Sequence, residues 1–490
     1  MLKISNQIAA YLLLAAFGLD LMGGRWAAYI ISPLPGIYLP DFFYLIAIFL
    51  IILNIGNLKI WFKNQPLIER CLSLLILVWV VSKLGISFFV FHEKFSYAIR
   101  DGAILVFLVS APLAGIVLRL ISSEKIKATI RWSTLIYVVT FIATYLGLIT
   151  PFNSVLLGGS NSVRVFEFGG DLLGVICGIA YLFWSDTSKN SLTNVLPRIL
   201  AIAPLIVNNS RGGILALAGI VILTIFFIKR DQWKSEVVII ALGLLLGFCL
   251  ALKPQKSFHG VPVYSTNINF NMQDVGDAAP AFGVFKLFSS QVFKSNSEEI
   301  RFRADKIEIL GVDEKVFFTP FKFPQEVEEF FQRKGTVVAR LATWKIIIEY
   351  HLRNNLWIAG APYGSYVMQV ACSNPHLPAY GTNYPGGGVK GPKCPVDSNE
   401  TYSPVRDAHN ALVTIFTYNG ILGLIFFFTL LRLQIKKVND LDVGSKAYAL
   451  IALAGYAISG MFSTFALSSF ALLPCAFFLA YLSSLSSRNA

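Results

Sequence analysis

Charge is scarce in this chain. Asp, Glu, Lys and Arg make up only 14% of its 490 residues, while 55% are hydrophobic. Soluble domains carry about 25% charged residues, so composition excludes an ordinary water-soluble globule. Histidine and cysteine are sparse too, at 5 and 6 residues. No CxxC pair and no metal-ligand spacing occurs, so nothing in the sequence suggests a metal. There is no internal repeat, prenylation box or soluble tail. The first apolar run follows a single Lys3, and no small-residue cleavage site stands out. It reads as a retained anchor rather than a cleaved signal peptide.

What the chain does have is a succession of long apolar runs. A bilayer-spanning helix needs roughly 20 apolar residues. Twelve candidate spans lie near 7–22, 40–57, 70–91, 98–120, 130–150, 167–184, 195–209, 211–228, 236–252, 409–432, 446–462 and 465–485. The seventh is short, and with the eighth it suggests a re-entrant or tilted pair. The expected fold is an all-α polytopic membrane protein of about 12 transmembrane helices. With the N-terminus inside, 18 Lys/Arg fall on the inner side and 5 in the short outer loops. That bias puts both termini in the cytoplasm. The net charge of +13 then reflects topology, not nucleic-acid binding.

Residues 253–408 break the pattern, with 17 Lys/Arg, 15 Asp/Glu and no long apolar span. The chain therefore divides into spans one to nine (1–252), a large extracytoplasmic loop domain (253–408) and spans ten to twelve (409–490). Cys372 and Cys394 lie in the loop, where an oxidising compartment permits a disulfide between them. The other four cysteines sit in apolar spans.

Ionisable groups at membrane edges are costly to bury, which makes them functional candidates. Arg211, in "IVNNSRGGILAL", follows the good N-cap residues Asn208, Asn209 and Ser210 and is expected in the first turn of the eighth span. A cation there opposes the helix dipole. Either an anion binds, using the guanidinium and the free amides together, or the side chain snorkels to the interface. Arg340, in "GTVVARLATWKIIIEYHLRNN", shares a helical face with Val337, Leu341, Trp344, Ile347 and Ile348. It either points inward from an amphipathic helix or lays its stem along apolar surface. His409, in "RDAHNALVTIF", follows Asp407, a plausible N-cap, and would lie in the first turn of the tenth span. A positive helix end disfavours imidazolium, so a neutral ring there can accept a proton. The alternative is a hydrogen-bonded interfacial histidine. Lys83 is the exception among the spans, a lone cation in the middle of one. Two guanidiniums and a potential base on the outer face suit a lipid phosphate or pyrophosphate, displaced by a nucleophile.

The stretches "SRGGILAL", "RLATWKIIIEYHLRNNLWIAGAPYGSY" and "AHNALVTIFTYNGILGLIFF", in this order, resemble the O-antigen ligase/polymerase superfamily of envelope glycosyltransferases. The matching residues are Ser210-Arg211-Gly212, Arg340 with Trp344, "GAPYG", His409-Asn410 and the "GILG" at 420–423, over roughly 195–428. About 85 residues, 253–337, and the insert "YPGGGVKGP" have no counterpart in the pattern. The resemblance implies a glycosyltransferase C-like bundle in a bacterial inner membrane, with the loop periplasmic. The donor would be an undecaprenyl-pyrophosphate-linked glycan and the acceptor a lipid or glycan hydroxyl met at the membrane lipids. Arg211 and Arg340 would hold the pyrophosphate, with neither metal nor cofactor. His409 would deprotonate the acceptor, which attacks with inversion. Asn410 would orient His409 or the substrate, and Arg164, in "GGSNSVRVFEFGG", is a further candidate phosphate contact.

The acceptor decides between an O-antigen ligase (lipid A–core), which is slightly favoured, a polymerase (a growing glycan) and a protein O-oligosaccharyltransferase. A transporter or flippase for lipid-linked glycans or small anions is the reading from another class. It lacks the support of an internal repeat or of many mid-span charges. A non-catalytic scaffold would make His409 dispensable.

Overall fold

The computed structural model describes residues 2–23, 39–93, 95–146, 148, 156–159, 162–165, 170–185, 192–208, 211–251, 410–436, 443–461 and 469–486, with 344, 347–348, 351–352 and 354–365 in the long loop. The first helices are α1 (Leu2–Gly23), α2 (Leu39–Leu53), α3 (Ile55–Asn64), α4 (Leu67–Phe89), α5 (Phe95–Leu118) and α6 (Ser123–Tyr145). Next come α7 (Gly170–Trp184), α8 (Leu192–Ile202), α9 (Pro204–Asn208), α10 (Arg211–Phe227) and α11 (Trp233–Ala251). The last three are α12 (Ala411–Lys436), α13 (Val443–Gly460) and α14 (Ser469–Ser486).

Helices lie in each of the apolar runs, but the runs 40–57 and 195–209 each hold two, and twelve full-length spans are not seen among the described residues. Among the described residues, six helices are long and apolar enough to cross a membrane, or seven if the bent pair α2–α3 counts as one span. Leu172–Trp184, Leu192–Val207, Gly212–Phe227 and Leu472–Leu485 are shorter apolar helices of 10–17 residues. The protein is a multi-pass membrane protein.

Three features depart from the sequence reading. The apolar run 40–57 is not one helix. It breaks at Asn54, whose side chain caps α3 by accepting from Gly56 N at 3.1 Å. Asn6 on α1 bonds both Asn54 and Asn57, which satisfies amides that an unbroken apolar span would leave stranded. The run 195–209 is likewise divided, at Ala203, because Pro204 cannot continue the hydrogen-bond ladder of α8. Finally, a small antiparallel hairpin, β1 (Leu156–Gly159) with β2 (Ser162–Val165), interrupts the all-α pattern.

The chain forms two compact units. One comprises Met1–Ser82, Gly102–Val263 and Phe426–Ala490. The other comprises Lys83–Asp101 and Tyr264–Ile425. In the first, α7 is buried almost along its whole length and packs against α6, α8, α10 and α13. Its apolar residues form a run with no polar face, as a helix surrounded by others requires. α7 meets α10 at a backbone crossing. A Cβ on Gly174 would fall 2.1 Å from the carbonyl oxygen of Gly213, two residues beyond Arg211. The glycines after Arg211 therefore have a packing reason. Gly174→Ala is expected to force the two helices apart at a cost of about 1–3 kcal/mol. Thermal denaturation in detergent checks this, and a wild-type midpoint would refute the close crossing.

On another side of α7 lies a buried ion pair. Nη1 of Arg198 on α8 donates to both carboxylate oxygens of Glu236 on α11, at 2.6 and 2.7 Å. Tyr181 on α7 donates its hydroxyl to Oε2 of the same carboxylate at 2.5 Å. Three helices are thus joined at one carboxylate.

Candidate active site

Arg211 is the first residue of α10, as the capping pattern of the sequence predicts. α12 begins three residues later than an Asp407 cap would have it. The cap is Asn410, whose Oδ1 accepts from Leu412 N at 2.9 Å and Val413 N at 3.1 Å. Two of the helix's orphan amides are satisfied in this way. The side-chain oxygen of Asn410 is therefore engaged in holding the helix start, and His409 stands immediately before the cap in sequence. Arg164 lies on β2, opposite Leu157. Arg340, His409 and the cysteines Cys372 and Cys394 fall outside the described residues.

Downstream of the cap, α12 is not continuous. Gly420 has φ 62° and ψ −162°, far from helical values. In an unbroken helix the amides of Ile421 and Leu422 would bond the carbonyls of Thr417 and Tyr418. Here they donate instead to Trp357 O at 2.8 Å and Ile358 O at 3.3 Å. The carbonyl left free on Thr417 accepts from Ala361 N at 2.7 Å. The loop segment 357–361 thus takes over hydrogen bonds that the helix gives up at the break.

The two glycines at this junction are required twice over. Gly360 has φ +75°, and a Cβ on it would lie 2.4 Å from Asn419 N. A Cβ on Gly420 would lie 2.2 Å from Ile358 O. Positive φ and mutual contact both demand glycine. This is the structural meaning of "GAPYG" and of the first glycine in "GILG".

Several polar groups around the junction are buried and bonded, although Nδ2 of Asn419 has no hydrogen-bond partner among the described residues. Tyr363, 0% exposed, donates its hydroxyl to Asn419 Oδ1. Tyr363 N donates to Ser87 Oγ and Gly364 N to Asp101 Oδ2, both at 2.8 Å. Tyr418 OH reaches Ser365 O at 3.2 Å. His351 is wholly buried, with Nδ1 2.7 Å from Ile347 O and Nε2 2.9 Å from Thr417 O. Burial above all holds its imidazole below the usual range. The two carbonyls pull it back up, and the Lys83 charge lowers it again. Near neutral pH the ring is uncharged and donates to one of the two carbonyls.

None of Lys83, His351, Tyr363 and Asn419 was a site candidate from sequence. Lys83 alone carried a signal, as a cation inside an apolar run.

The fold and this junction define a multi-pass membrane protein with a helix broken at Gly420. Residues 197–428 match the model of the O-antigen ligase family, which supports the O-antigen ligase/polymerase superfamily. The match begins within α8, takes in Arg211, Arg340 and His409-Asn410, and ends beyond the Gly420 break. It supports a glycosyltransferase-like function of ligase or polymerase type in general terms. No curated protein matches the chain.

Proposed function

We propose that the protein transfers a glycan from an undecaprenyl-pyrophosphate carrier to an acceptor hydroxyl, as an O-antigen ligase acting on lipid A–core. The observation that carries this reading is the placing of two motifs at helix starts within the family match. Arg211 opens α10, and His409 precedes the cap of α12. Helix N-termini present unpaired amides and a positive dipole end, which favour anions and keep a nearby imidazole neutral. In this reading Arg211 and Arg340 bind the pyrophosphate. His409 takes the proton of the acceptor hydroxyl as its oxygen attacks the anomeric carbon. The bond from that carbon to the pyrophosphate oxygen breaks on the opposite face, with inversion, and the carrier pyrophosphate leaves. The guanidiniums stabilise the charge that develops on it. The site faces the periplasm of a bacterial inner membrane, with both chain termini cytoplasmic, in line with the Lys/Arg asymmetry.

Reconstitution with an undecaprenyl-pyrophosphate glycan and alternative acceptors tests this, by scoring released carrier pyrophosphate and the glycosylated product. Product on a glycan chain instead of lipid A–core would make the protein a polymerase, and uptake without transfer would make it a transporter. Arg211→Ala and Arg340→Ala are each expected to weaken donor use and slow turnover. Lysine should rescue poorly, since an ammonium lacks the bidentate fork. EDTA should leave the wild-type rate unchanged. Full activity in both alanine variants would exclude the pyrophosphate role, and loss of activity in EDTA would restore a metal.

A further inference from the structure

Lys83 sits near the C-terminal end of α4, on the side that the Lys/Arg asymmetry assigns outside. Its ammonium donates to two backbone carbonyls, Ala359 O and Tyr418 O. One belongs to the loop segment and the other to the broken helix, and 276 and 335 residues respectively separate them from Lys83 in sequence. The ammonium also stands 5.0 Å from the centre of the Tyr363 ring. The Asp101 carboxylate is within electrostatic reach of it and bonds Gly364 N. A half-buried ammonium is costly unless its hydrogens and charge are met, and here backbone carbonyls, an aromatic face and a carboxylate all meet it.

At the Gly420 break Leu422 N bonds Ile358 O instead of the Tyr418 carbonyl, and that carbonyl accepts from Lys83. The break, the loop segment and the lysine are therefore one device. On one side this device grips residues 351–365, the stretch that follows Arg340. On the other it grips Ala411–Asn419, the half-helix that follows His409.

We infer that Lys83 is a positioning residue for glycan transfer. It clasps the loop segment to the outer half of α12 and so sets the place of the Arg340-bearing stretch relative to the His409-bearing helix start. This rests on the transfer reading above. Lys83 touches neither donor nor acceptor, and its role passes through the two carbonyls. Geometry errors of about 1 Å cost transfer reactions about 10²-fold, so a clasp of this kind is felt in turnover.

The test is Lys83→Met in the full-length reconstituted protein, read by two measurements. Hydrogen exchange is expected to quicken at least about tenfold in peptides covering 357–361 and 417–423, whose amides the clasp protects. Peptides of α7 should keep wild-type protection, which reports that the fold is intact. In transfer assays kcat should fall about 10²-fold, with KM for the donor within about threefold. Wild-type kcat would overturn the inference, whatever exchange does. A fall in kcat with exchange unchanged would also overturn it, because Lys83 would then act by another route. If α7 loses protection in Lys83→Met, Lys83→Gln decides, because its amide keeps a neutral donor in the same place but cannot serve both carbonyls as the ammonium does. It is expected to quicken exchange in the same two peptides and lower kcat about tenfold, and wild-type kcat there overturns the inference. Failure of the wild-type protein to transfer glycan would sink the transfer reading itself, and the exchange measurement would then still report whether the clasp exists.

Discussion

Replacing His409 by alanine is expected to lower glycan transfer by about 10²–10⁴-fold, the range that a lost general base commands. The protein should remain folded in the membrane. The start of α12 is held by Asn410, whose Oδ1 bonds Leu412 N and Val413 N, and this cap survives the substitution. Donor binding should survive as well, since Arg211 and Arg340 still hold the pyrophosphate. A base works in its neutral form, so the wild-type rate should rise with pH through the histidine titration, about 6.5 for an unperturbed ring. His409→Gln should lose that limb. The combination separates the functional classes, because a transporter or scaffold has no reason to lose transfer while retaining the lipid donor. Wild-type transfer in His409→Ala would make the residue an interfacial hydrogen-bonding histidine and would end the mechanism proposed here.

The largest stability effect is expected at Glu236. Arg198 is 1% exposed and Glu236 0%, so neither charge has water to fall back on. Glu236→Gln leaves the guanidinium buried without a counter-charge, which costs about 3–5 kcal/mol. The neutral bond from Arg198 Nε to Asn194 O at 3.2 Å does not replace the carboxylate's charge. Joint replacement of Arg198 and Glu236 by leucine should recover much of the loss, since both desolvation costs then disappear together. Thermal denaturation of the three proteins in one detergent measures the cycle. A Glu236→Gln midpoint equal to wild type, or a double variant as unstable as the single one, would contradict the picture of a charge stranded by its partner's removal.

The helices were legible in the sequence for a simple reason. A bilayer leaves no solvent for backbone groups, so a long apolar run has little choice but to form a helix. Hence Leu67–Phe89, Ser123–Tyr145 and Arg211–Phe227 fall on runs marked by hydropathy alone, and Arg211 opens its helix after Asn208, Asn209 and Ser210 as capping chemistry predicts. Motif order identified the superfamily, and the family match at 197–428 agrees with a resemblance drawn from three short stretches. Boundaries set by competition between neighbouring caps were less legible. Asp407 and Asn410 are both good N-caps, and only the bonds made by Asn410 decide between them.

Breaks in the helices needed the tertiary structure. The run 40–57 is apolar from Phe42 to Leu53, and the Asn54 at which the helix breaks has its amide received by Asn6, 48 residues away in sequence. Nothing local in "TYNGILG" says that Thr417 and Tyr418 will surrender their helical partners. The replacements come from residues 357–361 and from Lys83, brought together by folding. Composition and periodicity thus determined that this chain is a bundle of membrane helices and which residues open them. Periodicity records only neighbours within a turn or two, whereas a helix breaks inside a membrane only when distant groups arrive to take up the hydrogen bonds it gives up, so the Gly420 break and the Lys83 clasp were decided by the tertiary structure.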